Sequence, residues 1–139
     1  PIITLLESGA VVISAGGGGI PVVENPDGSL ELVDAVIDKD RASAVLALNI
    51  GAEKLVIITG VDMVAVNFGT PQQKDIPEMT ADEAQKLYDE GHFPPGSMGP
   101  KIESAIYFLK NGGKEVIITS ISQVEKALHG EGRFTKIVP

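Results

Sequence analysis

The chain has no cysteine and no tryptophan, and aromatic residues occupy only 4% of its 139 positions. Without cysteine there is no disulfide framework and no thiolate chemistry. So few aromatics argue against the stacking platforms that single-strand binders use. Long apolar runs are missing as well: charges or glycines interrupt each one before the roughly 20 residues that a bilayer-crossing helix requires, so no membrane partner is expected. Basic residues are the minority, eleven against nineteen acidic ones, and the resulting charge of −8 would repel a polyanion, so no nucleic-acid partner is expected. Residues 1–8 lack the basic start and cleavage site of a secretory signal, which fits a cytoplasmic location, while the opening at Pro1 without methionine suggests a trimmed or partial chain. His92 and His129 stand far apart without ligand spacing, so no protein-built metal site is expected. What the chain does have is 43% hydrophobic residues, enough for one core and one unit over residues 1–139.

The apolar pattern alternates between strand-like and helix-like stretches. Val11–Ala15 is β-branched and stops at four glycines, as a central strand entering a tight loop would. Val22-Val23 and Leu30–Val33 flank Asn25-Pro26-Asp27-Gly28, a hairpin pattern whose Asp-Gly pair supplies positive φ. Helical spacing over Arg41–Ile50 follows Asp38 and Asp40 and ends near Gly51, and Lys54–Thr59 then reads as a buried strand. Thr80-Ala81-Asp82-Glu83 is a capping box for a helix running to Gly91. Pro100 suits the first turn of a helix whose apolar face is Ile102, Ala105, Ile106 and Leu109, ending at Gly112-Gly113. Glu115–Thr119 is a third strand, Ser122–Glu125 a second capping box for a helix to Leu128, and Phe134–Val138 a final strand. Strands alternating with amphipathic helices predict an α/β fold with a mostly parallel sheet, whose ligands bind beyond the C-terminal strand ends.

Four groups of residues could carry chemistry. Gly16, Gly17, Gly18 and Gly19 allow backbone N–H groups to approach an anion, or make a crowded turn between layers; neither the Walker nor the dinucleotide pattern is present. Asp38-Lys39-Asp40 at a helix start places a lysine between carboxylates, suited to a phosphate or to a solvated surface turn. Gly96-Ser97-Met98-Gly99-Pro100-Lys101 puts a lysine in the first helical turn, where a cation is disfavoured unless an anion or carboxylate faces it, and Asp40 is the partner expected. Thr59-Gly60-Val61-Asp62 closes a strand with a hydroxyl, a flexible residue and a carboxylate, suited to nucleotide contacts or to an ordinary turn. The loop with Asn67-Phe68-Gly69 and Gln72-Gln73-Lys74 either borders a base or is plain surface, and the phenylalanines read as packing residues.

Ala15–Val22, Ala35–Asp40, Thr59–Asp62, Asn67–Gly69 and Gly91-His92-Phe93 leading to Gly96–Lys101, in this order, closely resemble carbamate kinases of the amino acid kinase family, over practically the whole chain. The resemblance implies an open, mainly parallel sheet between helix layers, a three-layer sandwich of which this chain is the C-terminal, nucleotide-binding part. It implies reversible phosphoryl transfer between ATP or ADP and carbamate or carbamoyl phosphate with Mg²⁺ present, in a homodimer when complete. It further implies that Lys39 and Lys101 contact the transferred phosphoryl group and Asp40 orients them. Thr59, Gly60, Asp62, Met98 and Gly99 would hold the nucleotide, and Gly16, Gly17 and Gly18 the substrate. The family's N-terminal half, with another glycine-rich loop and lysine, has no counterpart here. A non-catalytic nucleotide-binding or dimerisation fragment, and a kinase of another carboxylate acceptor, are the alternatives.

Overall fold

The computed structural model describes residues 1–139. A short helix, α1 (Ile2–Glu7), leads into irregular backbone through the glycine run. The central strand expected over Val11–Ala15 does not form: it pairs with no other strand, and Val11 and Ile13 are 96% and 97% exposed. β-branched residues favour an extended backbone, but a strand is made by cross-strand pairing, and here no edge meets this segment. The hairpin that follows does form, as β1 (Val22–Glu24) antiparallel to β2 (Leu30–Leu32). Its turn is set by Gly28 at φ +82° and by Asp27, which accepts the N–H and the hydroxyl of Ser29 at 2.9 and 2.6 Å.

Helix α2 (Lys39–Asn49) starts where Asp38 accepts the N–H groups of Asp40 and Arg41 at 2.8 and 3.2 Å, and it buries Ala44 and Ala47. After β3 (Lys54–Thr59), a hairpin of β4 (Val64–Val66) and β5 (Lys74–Ile76) precedes β6 (Glu78–Thr80). Helix α3 (Ala81–Asp89) carries the expected capping box: Thr80 N–H donates to Glu83 at 2.7 Å, and Glu83 N–H donates back to the Thr80 hydroxyl at 3.2 Å. Helix α4 (Met98–Lys110) begins two residues before Pro100 and buries Ile102, Ala105, Ile106 and Leu109, together with Ser104 and Phe108. It is followed by β7 (Glu115–Ser120), α5 (Val124–Leu128) and β8 (Thr135–Val138). The second expected capping box is not made: α5 starts after Gln123 with no side-chain cap, and the Ser122 hydroxyl instead lies 2.9 Å from that of Ser120.

The main sheet has the order β3-β7-β8-β6. β3 runs parallel to β7, with Thr59 level with Ser120, and β6 runs parallel to β8, while β8 is antiparallel to β7. Parallel pairing thus dominates a mixed α/β sheet. Pleating sends Val116 and Ile118 to the face covered by α2, α3 and α4, where Ala44, Ile57, Ile102, Ala105 and Ile137 join one core cluster. Each fully buried Ile or Val there contributes about 1.5–3 kcal/mol. Ile117 points to the opposite face, where the buried Ala127 of α5 lies outside that cluster. Nothing covers Ile58 of β3, which is 45% exposed.

Candidate active site

The C-terminal end of β3 meets the N-termini of α2 and α4, and between them opens a cleft of about 440 Å³. β3 and the loop after it contribute Thr59, Gly60, Val61 and Met63, and β4 and the turn beyond it contribute Ala65 and Phe68. The start of α2 contributes Asp38, Lys39 and Asp40. The segment entering α4 contributes His92, Phe93, Pro94, Gly96, Ser97, Met98, Pro100 and Lys101.

Local chemistry aims the charged groups. With Asp38 consumed as the cap, Lys39 and Asp40 become the first two residues of α2. Lys101 Nζ donates to Asp40 Oδ2 at 2.9 Å, with both side chains only 13% exposed, and Lys39 Nζ lies 3.6 Å from the same oxygen while remaining 65% exposed. The two helices are tied again farther along, where the Arg41 guanidinium stacks 3.7 Å from the Tyr107 ring centre and 3.7 Å from Glu103. Gly99 permits the tight entry into α4: its N–H donates to the Pro94 carbonyl at 2.8 Å, and a Cβ at this position would come within 2.9 Å of that oxygen. Ser97 makes no side-chain cap and no acidic residue lies in the first turn of α4, so the positive end of that helix is uncompensated. One carboxylate, Asp40, therefore faces two ammonium groups beside a bare helix N-terminus. That arrangement favours a polyanion lying across Lys39 and Lys101.

The residues singled out in the sequence separate into three groups. Lys39, Asp40, Lys101, Thr59, Gly60 and Met98 share the cleft, and Gly99, buried and outside the lining, stands between the lining residues Met98 and Pro100. Asp62 does not line the cleft: its Oδ1 accepts the Ser120 hydroxyl at 2.6 Å, and its Oδ2 lies 3.6 Å from Arg133 Nε. Gly16, Gly17 and Gly18 also stand outside the lining, but Gly18 packs on the residue preceding Asp38, where an added Cβ would fall 1.6 Å from the Ile37 carbonyl oxygen. Sequence reasoning did not assign Val61, Met63 or Ala65 to the cleft; three apolar residues around a short strand carry no periodic signal. Phe93, expected as a packing residue, is 5% exposed and serves both core and cleft, whereas Phe68 is 58% exposed at the cleft mouth. No group of three His, Cys, Asp or Glu side chains is placed to hold a metal ion.

A cation-lined cleft thus opens at strand and helix ends of an α/β sheet, and the chain belongs to the amino acid kinase family, whose model matches residues 1–120. More particularly, it is similar to the carbamate kinase-like protein YahI of Escherichia coli K12, at 52% identity over 127 residues that cover 91% of this chain and 40% of that protein. It is 50% identical over 136 residues to the carbamate kinase of Clostridium perfringens, covering 97% of this chain and 43% of that one. Carbamate kinase from Giardia lamblia bound to AMP-PNP superposes with a TM-score of 0.88 at 39% identity, covering 99% of this chain and 43% of that chain. The architecture is thus part of the amino acid kinase fold. The chain spans about two-fifths of the length of the curated relatives it matches. No helix is long and apolar enough to cross a membrane.

Proposed function

We propose that this chain is the nucleotide-binding part of a carbamate kinase, acting in reversible transfer of a phosphoryl group between ATP and carbamate. The observation that carries this reading is the Asp40–Lys101 ion pair with Lys39 beside it, set between the two helix N-termini. Phosphoryl transfer requires positioning and charge neutralisation more than covalent help. Carbamate is already an anionic nucleophile: its oxygen bonds to the γ-phosphorus, the bond from phosphorus to the β–γ bridging oxygen breaks, and ADP leaves. Lys39, exposed, and Lys101, fixed by Asp40, would offset the repulsion between the two anions as charge moves toward the leaving oxygen. Thr59, Gly60 and Met98 would contact the nucleotide, with its base toward Val61, Met63 and Phe68. Mg²⁺ would arrive held by the phosphates, since Asp38 is spent as a cap and Asp40 on its lysines; when bound, it would neutralise phosphate charge.

The names of the relatives support the acceptor, and the AMP-PNP in the Giardia enzyme supports the nucleotide. A homodimer working in the cytoplasm completes the proposal. A second reading is favoured by the share of the relatives that the chain spans: nucleotide binding without turnover.

Formation of ATP from ADP and carbamoyl phosphate tests both, measured on the 139-residue chain and on a longer protein with the preceding segment supplied from the Escherichia coli relative. Turnover in the longer protein, abolished by Lys101→Ala, is expected. ADP binding without turnover in either would favour the binding module, and turnover with acetylglutamate or aspartate but not carbamate would replace the acceptor.

A further inference from the structure

We propose that Arg133 is a positioning residue for the nucleotide cleft, holding in place the wall against which the base rests. The inference rests on the nucleotide reading given above. Arg133 lies outside the cleft, between α5 and β8, and its guanidinium joins the loop leaving β3, which lines the cleft, to β5, which pairs with the cleft-lining strand β4. Nη2 donates to Asp75 Oδ2 at 2.5 Å, and Nε lies 3.6 Å from Asp62 Oδ2. Asp62 belongs to the loop leaving β3, and its other oxygen is held by the Ser120 hydroxyl at the end of β7. Asp75 belongs to β5, opposite Ala65 of β4.

The link continues to the cleft mouth. Asp75 Oδ1 accepts from Gln73 Nε2 at 3.3 Å, and Gln73 Oε1 accepts the Gly69 N–H at 3.0 Å, next to the exposed Phe68. Asp62 and Asp75 thus bracket Met63, Ala65 and Phe68, and Arg133 fastens both brackets. The arginine is itself anchored, since its carbonyl accepts the Thr119 hydroxyl at 3.0 Å and its N–H donates to Gln123 at 3.3 Å. With side-chain exposures of 57% for Arg133, 35% for Asp62 and 31% for Asp75, these ion pairs contribute little to global stability. Their effect is local: Val64 and Ile76 are already fixed by the Thr135 hydroxyl and by core packing, so the arginine acts on the more exposed parts of the segment, the turn at Asp62 and the stretch from Phe68 to Asp75.

Calorimetric titration of the 139-residue chain with ADP and, separately, with tripolyphosphate separates the base wall from the lysines. Arg133→Ala is expected to weaken ADP about fivefold while leaving tripolyphosphate unchanged, with partial recovery in Arg133→Lys. Asp75→Asn, which removes the second bracket without touching the cleft, is expected to act in the same direction. An ADP affinity unchanged by Arg133→Ala and Asp75→Asn overturns the inference, as does an equal loss for both ligands, which would mark general loosening. Failure of the unaltered chain to bind ADP overturns the nucleotide reading and this inference with it.

Discussion

At the residue scale, the two lysines of the cleft differ in what they do for the folded chain. Lys101 is nearly buried on Asp40, so removing its ammonium leaves a carboxylate in a partly dry site. Lys101→Met is expected to cost about 2 kcal/mol, between the values for exposed and fully buried pairs, and adding Asp40→Asn should restore most of it. Urea denaturation of the single and double variants checks this, and a double variant no more stable than Lys101→Met would show that the pair is not coupled. Lys39 is 65% exposed and holds nothing together. Lys39→Met should therefore leave stability within about 0.5 kcal/mol while lowering turnover about 100-fold in a longer, active protein. A fall in stability comparable to that of Lys101→Met would remove the distinction.

Among the elements, α3 offers a pH-dependent contribution with a known sign. The Glu83 carboxylate is held below its ordinary value, first by the Thr80 N–H and then by the Thr80 hydroxyl. A carboxylate lowered on folding adds stability that is fully present above its unfolded value and lost as pH falls through the lowered one. Glu83→Gln should therefore be less stable than the parent at neutral pH, with the gap closing in acid below the ordinary glutamate range; denaturant midpoints across pH measure it, and a gap independent of pH would contradict it. This box was legible in the sequence because every group it uses lies within four residues. The hairpin at Asp27-Gly28 and strands β3 and β7 were legible for the same reason: a turn pair, or an unbroken apolar run, Leu55–Ile58 in one strand and Val116–Ile118 in the other. The unread elements depend on distant partners. β4, β5 and β6 are three residues each and are placed by contacts such as the Thr135 hydroxyl, which donates to the Ile76 carbonyl at 2.5 Å and accepts the Val64 N–H at 2.8 Å. Conversely, Val11–Ala15 had the local signal and lacked the partner. In the cleft, Lys101 was visible because a cation at a helix start contradicts local preference, and Asp40 followed as its partner, whereas the bonds that turn Asp62 to Ser120 and Arg133 cross 58 and 71 residues and leave no local signal.

Over the whole molecule, the apolar surface is distributed unevenly. Helix α4 and strand β7 are closely packed, yet Val11, Ile13 and Val36 are at least 96% exposed and Ile121 is 81% exposed. Apolar surface of this kind promotes association. The chain is expected to enhance the fluorescence of a hydrophobic dye and to self-associate with rising concentration. Val11→Lys together with Ile13→Lys should reduce both without lowering the melting temperature, since neither side chain is packed. Sedimentation velocity provides the check, and unchanged association would place the contact elsewhere.

The position of β8 between β7 and β6 has a further consequence for synthesis. A ribosome releases β3, β6 and β7 before β8, so β6 has no neighbour in the sheet until residues 135–138 emerge. Helices α2 and α4 can dock and join Asp40 to Lys101 earlier, which makes the lysine-bearing end of the cleft the first part of the nascent chain able to mature. The wall governed by Arg133 must wait for the last strand.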